Sequence, residues 1–441
     1  MKILPTIGPE TIKTNNLKYI LSQTNFVRIN SSHNSISWHK KAIKKIKKIK
    51  PESIILIDFP GIKPRTKNNN EIIVKKNEVI LFSYKKKINK KSILITKPLP
   101  KIYKKKYFSI DDAKIVFKII SSNKNTISGK ALNDCIIKPK KGLNIPGSIY
   151  DDKTQEKIYI KYFKIFKNNK FDAVGLSFVQ NKNVIIKLKK NYPNILLVSK
   201  VENSEGLKNV KEISKFSDAI MIDRGDLSAE IGDDKLYDAI IKISSFAKKY
   251  GKPLIMATEN LETMYKFNKP TKNDIISLGF ANQINSDIIM LSEETAISSK
   301  WKKILSWLNK FLTSKKNVFE TPNDDYIFWK TVDVVKDYPL VVFTKKGLML
   351  DKIFKKNIKN DVFIFTDTIK TRAISNFYSN ATCFFTKKFN NKNINKFYYE
   401  NIKKYKNLIF KKTNKAFLIT ISFPKKGSTA NTLSLLNKKD I

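Results

Sequence analysis

Short apolar runs recur along the chain, each closing on polar residues, and stretches with helical spacing stand between them. Residues 2–8, 25–33 and 53–58 form the first three such runs. Strand, helix, strand, helix, strand, with polar residues at the carboxyl ends, is the grammar of an α/β barrel. From Lys67 to about Pro146 that grammar gives way to short strands at 79–82, 93–95, 114–119 and 126–128, with no long amphipathic helix between them. This pattern predicts a small inserted all-β domain. The alternation then resumes through residues 172–178, 195–203, 221–227, 253–258 and 287–292. Three strands before the insertion and five after it predict a closed (β/α)8 barrel, with an open doubly wound sheet as the alternative. Beyond about Lys315, apolar runs at 339–343, 362–365 and 416–421 predict a C-terminal α/β domain. The expected limits are 1–66 and 148–315 for the two parts of the barrel, 67–147 for the insertion and 316–441 for the last domain.

The run at 195–203 (ILLVSKVEN) carries the most chemistry. An apolar strand here ends with Lys200 and Glu202 two residues apart, and period-2 alternation puts both on one side. Buried charges of this kind need a partner or a metal. Further on, residues 221–227 (MIDRGDL) repeat the plan and add the carboxylate of Asp226 after a glycine that lets a ligand approach the backbone. Lys200, Glu202 and Asp226 match what magnesium-assisted phosphoryl transfer needs: oxygen ligands for a hard cation and an ammonium for the moving group. A strand-end salt bridge is the plainer alternative. On the second strand Arg28, Asn30 and Ser32 recur at period two, as a ligand-facing row or an exposed edge.

Charge changes the picture less than its size implies. The formal net charge of the 441 residues is +48, a value that ordinarily points to nucleic acid. Of the 86 basic residues only Arg28, Arg65, Arg224 and Arg372 are arginines, and lysine is spread over every segment rather than clustered. This diffuse texture speaks against nucleic acid as the main partner. Where lysine is so abundant, an arginine marks a site that uses its planar fork. Cys135 and Cys383 form neither a CxxC pair nor a disulfide ladder, and the two histidines, His33 and His39, exclude a histidine-rich metal site. No apolar run has the length of a membrane span and the start has no signal-peptide layout, so the expectation is a cytoplasmic protein with no membrane partner.

Taken together the motifs resemble the pyruvate kinase family, almost from end to end. Residues 195–207 (ILLVSKVENSEGL) are similar to that family's active-site signature, and TIGP at 6–9, RINSSH at 28–33, KGLNIPG at 141–147, RGDL at 224–227, Ala257-Thr258 and LSEETA at 291–296 follow in matching order. The resemblance implies a TIM barrel with a small β-barrel lid after the third strand and a C-terminal α/β domain. It also implies phosphoryl transfer from phosphoenolpyruvate to ADP in glycolysis, giving pyruvate and ATP, by a homotetramer. By the same resemblance Lys200 neutralises the phosphoryl group, Glu202 and Asp226 hold Mg²⁺, and Thr258 lies where the enolate carbon is protonated through a water. Arg224, Gly225 and Asp226 border the substrate, Arg28 and Arg65 meet phosphate oxygens, His33 lies near the nucleotide, and Lys141 reaches it from the lid.

Departures from the family's pattern carry expectations of their own. A monovalent-cation site matches Asn30, Ser32 and Asp58, and the loop after Asp58 carries Lys63 where a glutamate goes with potassium dependence. The expectation is a lysine-bearing, potassium-independent branch, one fixed charge standing in for another. Asp223 replaces a small residue beside the Arg-Gly-Asp step, adding negative charge near the substrate carboxylate, and Glu293 replaces a glycine. Residues 344–349 (TKKGLM) offer few hydroxyls to a sugar phosphate, so effector activation is expected to be weak or absent. Two other readings stand beside this one: a different barrel enzyme acting on phosphoenolpyruvate or a keto acid, and a binding or scaffold protein that has lost catalysis.

Overall fold

The computed structural model describes residues 1–89, 92–102, 106–111, 113–314, 335, 337–355, 358–389, 393–420 and 432–441. The start of the expected C-terminal domain, 316–334, lies outside the described residues.

The barrel begins with β1 (Lys2–Pro5), β2 (Phe26–Asn30) and β3 (Ile54–Phe59). The insertion follows as β4 (Ile72–Val74), β5 (Val79–Tyr84), β6 (Ile93–Ile95), β7 (Tyr107–Ile110), β8 (Ile115–Ser122), β9 (Thr126–Ala131), β10 (Cys135–Ile137) and β11 (Leu143–Asn144). The barrel resumes with β12 (Ala173–Leu176), β13 (Leu196–Val201), β14 (Ala219–Asp223), β15 (Leu254–Ala257) and β16 (Ile288–Leu291). These eight barrel strands pair in the order β1-β16-β15-β14-β13-β12-β3-β2. A parallel bridge between Thr6 and Arg28, with the Ile7 N–H donating to the Arg28 carbonyl at 2.8 Å, brings the two ends together. The ring excludes the open doubly wound alternative.

Apolar patterning explains the layers. In the helix Ile36–Ile49, His39, Ala42, Ile43 and Ile46 are buried at three- and four-residue spacing, while Lys40, Lys41, Lys44 and Lys48 face water. Ser35 caps its start by accepting from the Trp38 N–H at 3.1 Å. In this helix the lysines are thus the outer face.

The insertion folds as a six-stranded sheet, β11-β7-β8-β9-β5-β6, and a β10-β4 ribbon over one core that includes Val74, Phe82, Phe108, Phe117 and Ile137. β4, β7, β10 and β11 were not expected from the sequence, being three or four residues long at most. The last domain is a five-stranded sheet, with β17 (Leu340–Phe343), β18 (Val362–Thr366), β19 (Ala381–Phe385), β20 (Lys415–Thr420) and β21 (Thr432–Asn437) in the order β19-β18-β17-β20-β21. Its Phe377 packs against the inner barrel residues, and Tyr378 donates to the Gly251 carbonyl at 2.7 Å. The C-terminal domain therefore seals the amino end of the barrel and leaves the carboxyl end for chemistry.

Candidate active site

The inward face of the barrel is apolar through two layers and charged in the third. Phe26, Leu56, Val198, Met221 and Ile255 share the inner core. Two residues on along their strands come Arg28, Asp58, Lys200 and Asp223, all buried. Strand alternation puts all four on the same face at the carboxyl end. Gly175 on β12 leaves room for them, since a Cβ there would lie 3.0 Å from Asp58 Oδ1.

Lys200 is the centre of this layer. Its Nζ lies 2.7 Å from Glu202 Oε1, 3.2 Å from Asp223 Oδ2, 3.3 Å from Asp58 Oδ2 and 3.3 Å from Ser177 Oγ. Burial alone would lower the ammonium pKa, but Asp58, Glu202 and Asp223 outweigh it and hold the group protonated. Arg28 embraces Asp58 Oδ2 with Nε at 3.0 Å and Nη2 at 2.6 Å, and donates through Nη1 to Thr6 Oγ1 at 2.8 Å. Burial would raise the Asp58 carboxyl; Lys200 and Arg28 bring it below the usual range instead. Glu202 is the exception. Its Oε2 accepts from the Phe178 N–H at 2.6 Å, yet complete burial pushes the carboxyl up to about 8 against the pull of Lys200.

Asp226 is not on the strand that leads to it. β14 ends at Asp223, and Arg224 opens the helix Arg224–Ile231, so Asp226 sits in the helix's first turn. Lys63, from the loop after β3, forms a close ion pair with Asp226 Oδ1. Gly142 of the insertion permits this, because a Cβ there would fall 2.4 Å from Lys63 Cε. Burial would raise the Asp226 carboxyl, and Lys63 overrides it to hold the group ionised. Carboxylate oxygens of Glu202, Asp223 and Asp226 lie within 4.8 Å of one another. Oxygen donors so close, two of them on fully or largely buried side chains, fit a hard divalent cation.

The remaining expected site residues divide. Arg65 and His33 stand together at the mouth: the Arg65 Nη1 donates to the Lys140 carbonyl at 3.2 Å, and partial burial, then Arg65 and Arg28, lower the His33 pKa. Lys141 is held by Asp111 at 2.7 Å. Thr258 has φ +60°, a costly conformation for a β-branched residue and one that recurs at functional sites. Its Oγ1 donates to the Ala257 carbonyl at 2.7 Å and accepts from the Gly225 N–H at 3.2 Å. Arg224 points its guanidinium at the same loop, reaching the Thr258 carbonyl, Asn260 Oδ1 at 3.1 Å and Ser277 Oγ. Its fork braces backbone.

The row at Arg28, Asn30 and Ser32 does not stay intact. β2 ends at Asn30, whose Oδ1 accepts from the Ser32 N–H at 3.0 Å, and Ser32 is exposed in the turn beyond. Lys63 reaches Asp226. Asp223, noted in the sequence as negative charge beside the Arg-Gly-Asp step, was not expected to contact Lys200, and Ser177 and Lys97 were not singled out. Asp223 follows Ala219 and Met221 at period two, the signal already used for Lys200. Ser177 and Lys97 carried no pattern; Lys97 reaches from the insertion to the Gly61 carbonyl.

Residues 1–301 match the family model described as "Pyruvate kinase, barrel domain". Among curated relatives, the chain is 34% identical over 315 residues to the pyruvate kinase of Buchnera aphidicola, covering 67% of this chain and 65% of that protein. It is 30% identical over 308 residues to that of Borreliella burgdorferi, covering 64% of the relative. The alignments thus span just under two thirds of these relatives. With the Thermotoga maritima pyruvate kinase the identity is 26% over 396 residues, covering 84% of this chain and 85% of the other. The crystal structure of pyruvate kinase from Pyrobaculum aerophilum superposes with TM-score 0.79 at 20% identity, covering 99% of this chain and 98% of that one, which is a likeness of fold. Since the matched model spans well over half of the chain and includes Arg28, Lys200, Glu202 and Asp226, this chain belongs to the pyruvate kinase family.

Proposed function

We propose that the chain is an active pyruvate kinase, moving a phosphoryl group from phosphoenolpyruvate to ADP. The observation that carries the reading is the convergence of Lys200, Glu202, Asp223 and Asp226 on one point at the carboxyl end of the barrel, with Lys63 drawn in from the neighbouring loop.

The reaction breaks the bond between phosphorus and the enol oxygen, forms a bond to a β-phosphate oxygen of ADP, and adds a proton to the enolate carbon. Lys200, kept protonated by its carboxylate neighbours, supplies charge to the phosphoryl group in passage. Arg28 lies beside it, and Arg65, His33 and Lys141 face the nucleotide from the mouth and the lid. Thr258 orders the water that delivers the proton, because a threonine hydroxyl is too weak an acid to give its own. Magnesium, held by Glu202 and Asp226, would supply the positive charge that favours the leaving enolate oxygen. Arg224 positions the Thr258 loop.

Lys63 supports a potassium-independent enzyme, as a fixed ammonium already at the mouth. Assembly as a homotetramer belongs to the same proposal. The rival reading, a scaffold that has lost catalysis, has Asp223 in its favour, since that carboxylate occupies the field of Lys200. A lactate-dehydrogenase-coupled assay with purified protein separates them. Pyruvate should form only with phosphoenolpyruvate, ADP and Mg²⁺ together, and not in Lys200→Met; an inactive wild type ends the proposal.

A further inference from the structure

We propose that Asp223 is a third carboxylate ligand of the divalent cation, so that this chain holds the metal before any substrate arrives. The inference rests on the reading of Glu202 and Asp226 as metal ligands and adds a residue to it. Asp223 is the last residue of β14, aligned with Ala257 of β15, and it points inward with Ala219 and Met221. Its carboxylate lies within 4.8 Å of those of Glu202 and Asp226. In an octahedral magnesium site ligand oxygens are about 3 to 4.2 Å apart, given bonds of about 2.1 Å.

The contacts of Lys200 point the same way. The buried mouth holds the carboxylates Asp58, Glu202, Asp223 and Asp226 beside the cations Arg28, Lys63 and Lys200, with the fork of Arg224 turned to the Thr258 loop. Arg28 is committed to Asp58 and Lys63 to Asp226, which leaves one ammonium shared between Glu202 and Asp223. Glu202 Oε1 is fully buried and meets the Lys200 ammonium at 2.7 Å. For Lys200 to serve a phosphoryl group it must leave these two acids. A divalent cation between them takes over that neutralisation, and a third carboxylate raises the affinity of the substrate-free site.

The test is Mn²⁺ binding to the substrate-free protein, followed by electron paramagnetic resonance, with Mn²⁺-dependent thermal protection as a second readout. Asp223→Asn and Asp223→Ala should each raise the dissociation constant about tenfold or more, and Glu202→Gln and Asp226→Asn should do the same. Unchanged affinity in both Asp223 variants, with loss in the other two, overturns this inference alone and leaves Asp223 as a counter-ion of Lys200. Unchanged affinity in all four overturns the metal-site reading with it.

Discussion

Lys63 and Asp226 form an ion pair across the barrel mouth, the ammonium from the loop after β3 and the carboxylate from the first turn of the helix Arg224–Ile231. A cation built into the chain therefore touches a proposed metal ligand, where positive charge also complements the acid. Activity should persist when potassium is replaced by sodium or a tetraalkylammonium ion. Lys63→Gln should lower kcat/KM about tenfold or more, about 1.4 kcal/mol, with part of the loss restored by potassium. A many-fold drop of the wild type in potassium-free buffer would contradict the assignment.

Lys200 neutralises three buried carboxylates, so its removal should be felt in stability as well as rate. Lys200→Met should lose several orders of magnitude in kcat. Without divalent cation it should also lose about 3–5 kcal/mol in urea unfolding, because buried Asp223 loses the ammonium 3.2 Å away. Lys200→Met combined with Asp223→Asn should regain part of that loss, and strict additivity of the two changes would argue against the contact.

Glu230 sits in the same helix as Asp226 and is fully buried; its Oε1 accepts from Asn144 Nδ2 at 3.0 Å and Tyr150 Oη at 3.2 Å. Burial outweighs these donors and Lys63, and the carboxyl rises from 4.5 to about 7. The folded chain thus retains a proton that the unfolded chain releases, so this residue costs stability as pH rises through that window and not below it. Glu230→Gln should match the wild type near pH 4 and exceed it by about 3 kcal/mol above pH 7. Equal stability at both ends, by urea titration, would refute the assignment.

The hydroxyls around the loop after β17 are occupied. Thr344 Oγ1 accepts from the Gly347 N–H at 3.1 Å, and the hydroxyls of Thr368 and Thr371 both donate to the Lys345 carbonyl, the latter at 2.7 Å. A sugar bisphosphate should leave the half-saturation point for phosphoenolpyruvate unchanged; a sharp fall on titration would show a site elsewhere.

The barrel strands were legible because a strand covered on both faces reads as an unbroken apolar run. The same parity that placed Lys200 and Glu202 together also points Asp223 inward. What sequence could not supply was pairing between neighbouring strands. Arg28 and Asp58 are 30 residues apart, and only the alignment of β2 with β3 brings them together. The scarcity of arginine marked Arg28 and Arg224 as forks without saying what each would hold: Arg28 takes a carboxylate, Arg224 the backbone of the Thr258 loop. Short strands such as β4 and β10 gave too few residues for a period to emerge.

The position of a bound Mn²⁺ in crystals grown with oxalate, read from its anomalous scattering, tests the metal assignment most directly. The expected result is one peak about 2.2 Å from carboxylate oxygens of both Glu202 and Asp226, with Lys63 displaced from Asp226. A peak held by other residues, or none at the barrel mouth, would contradict it.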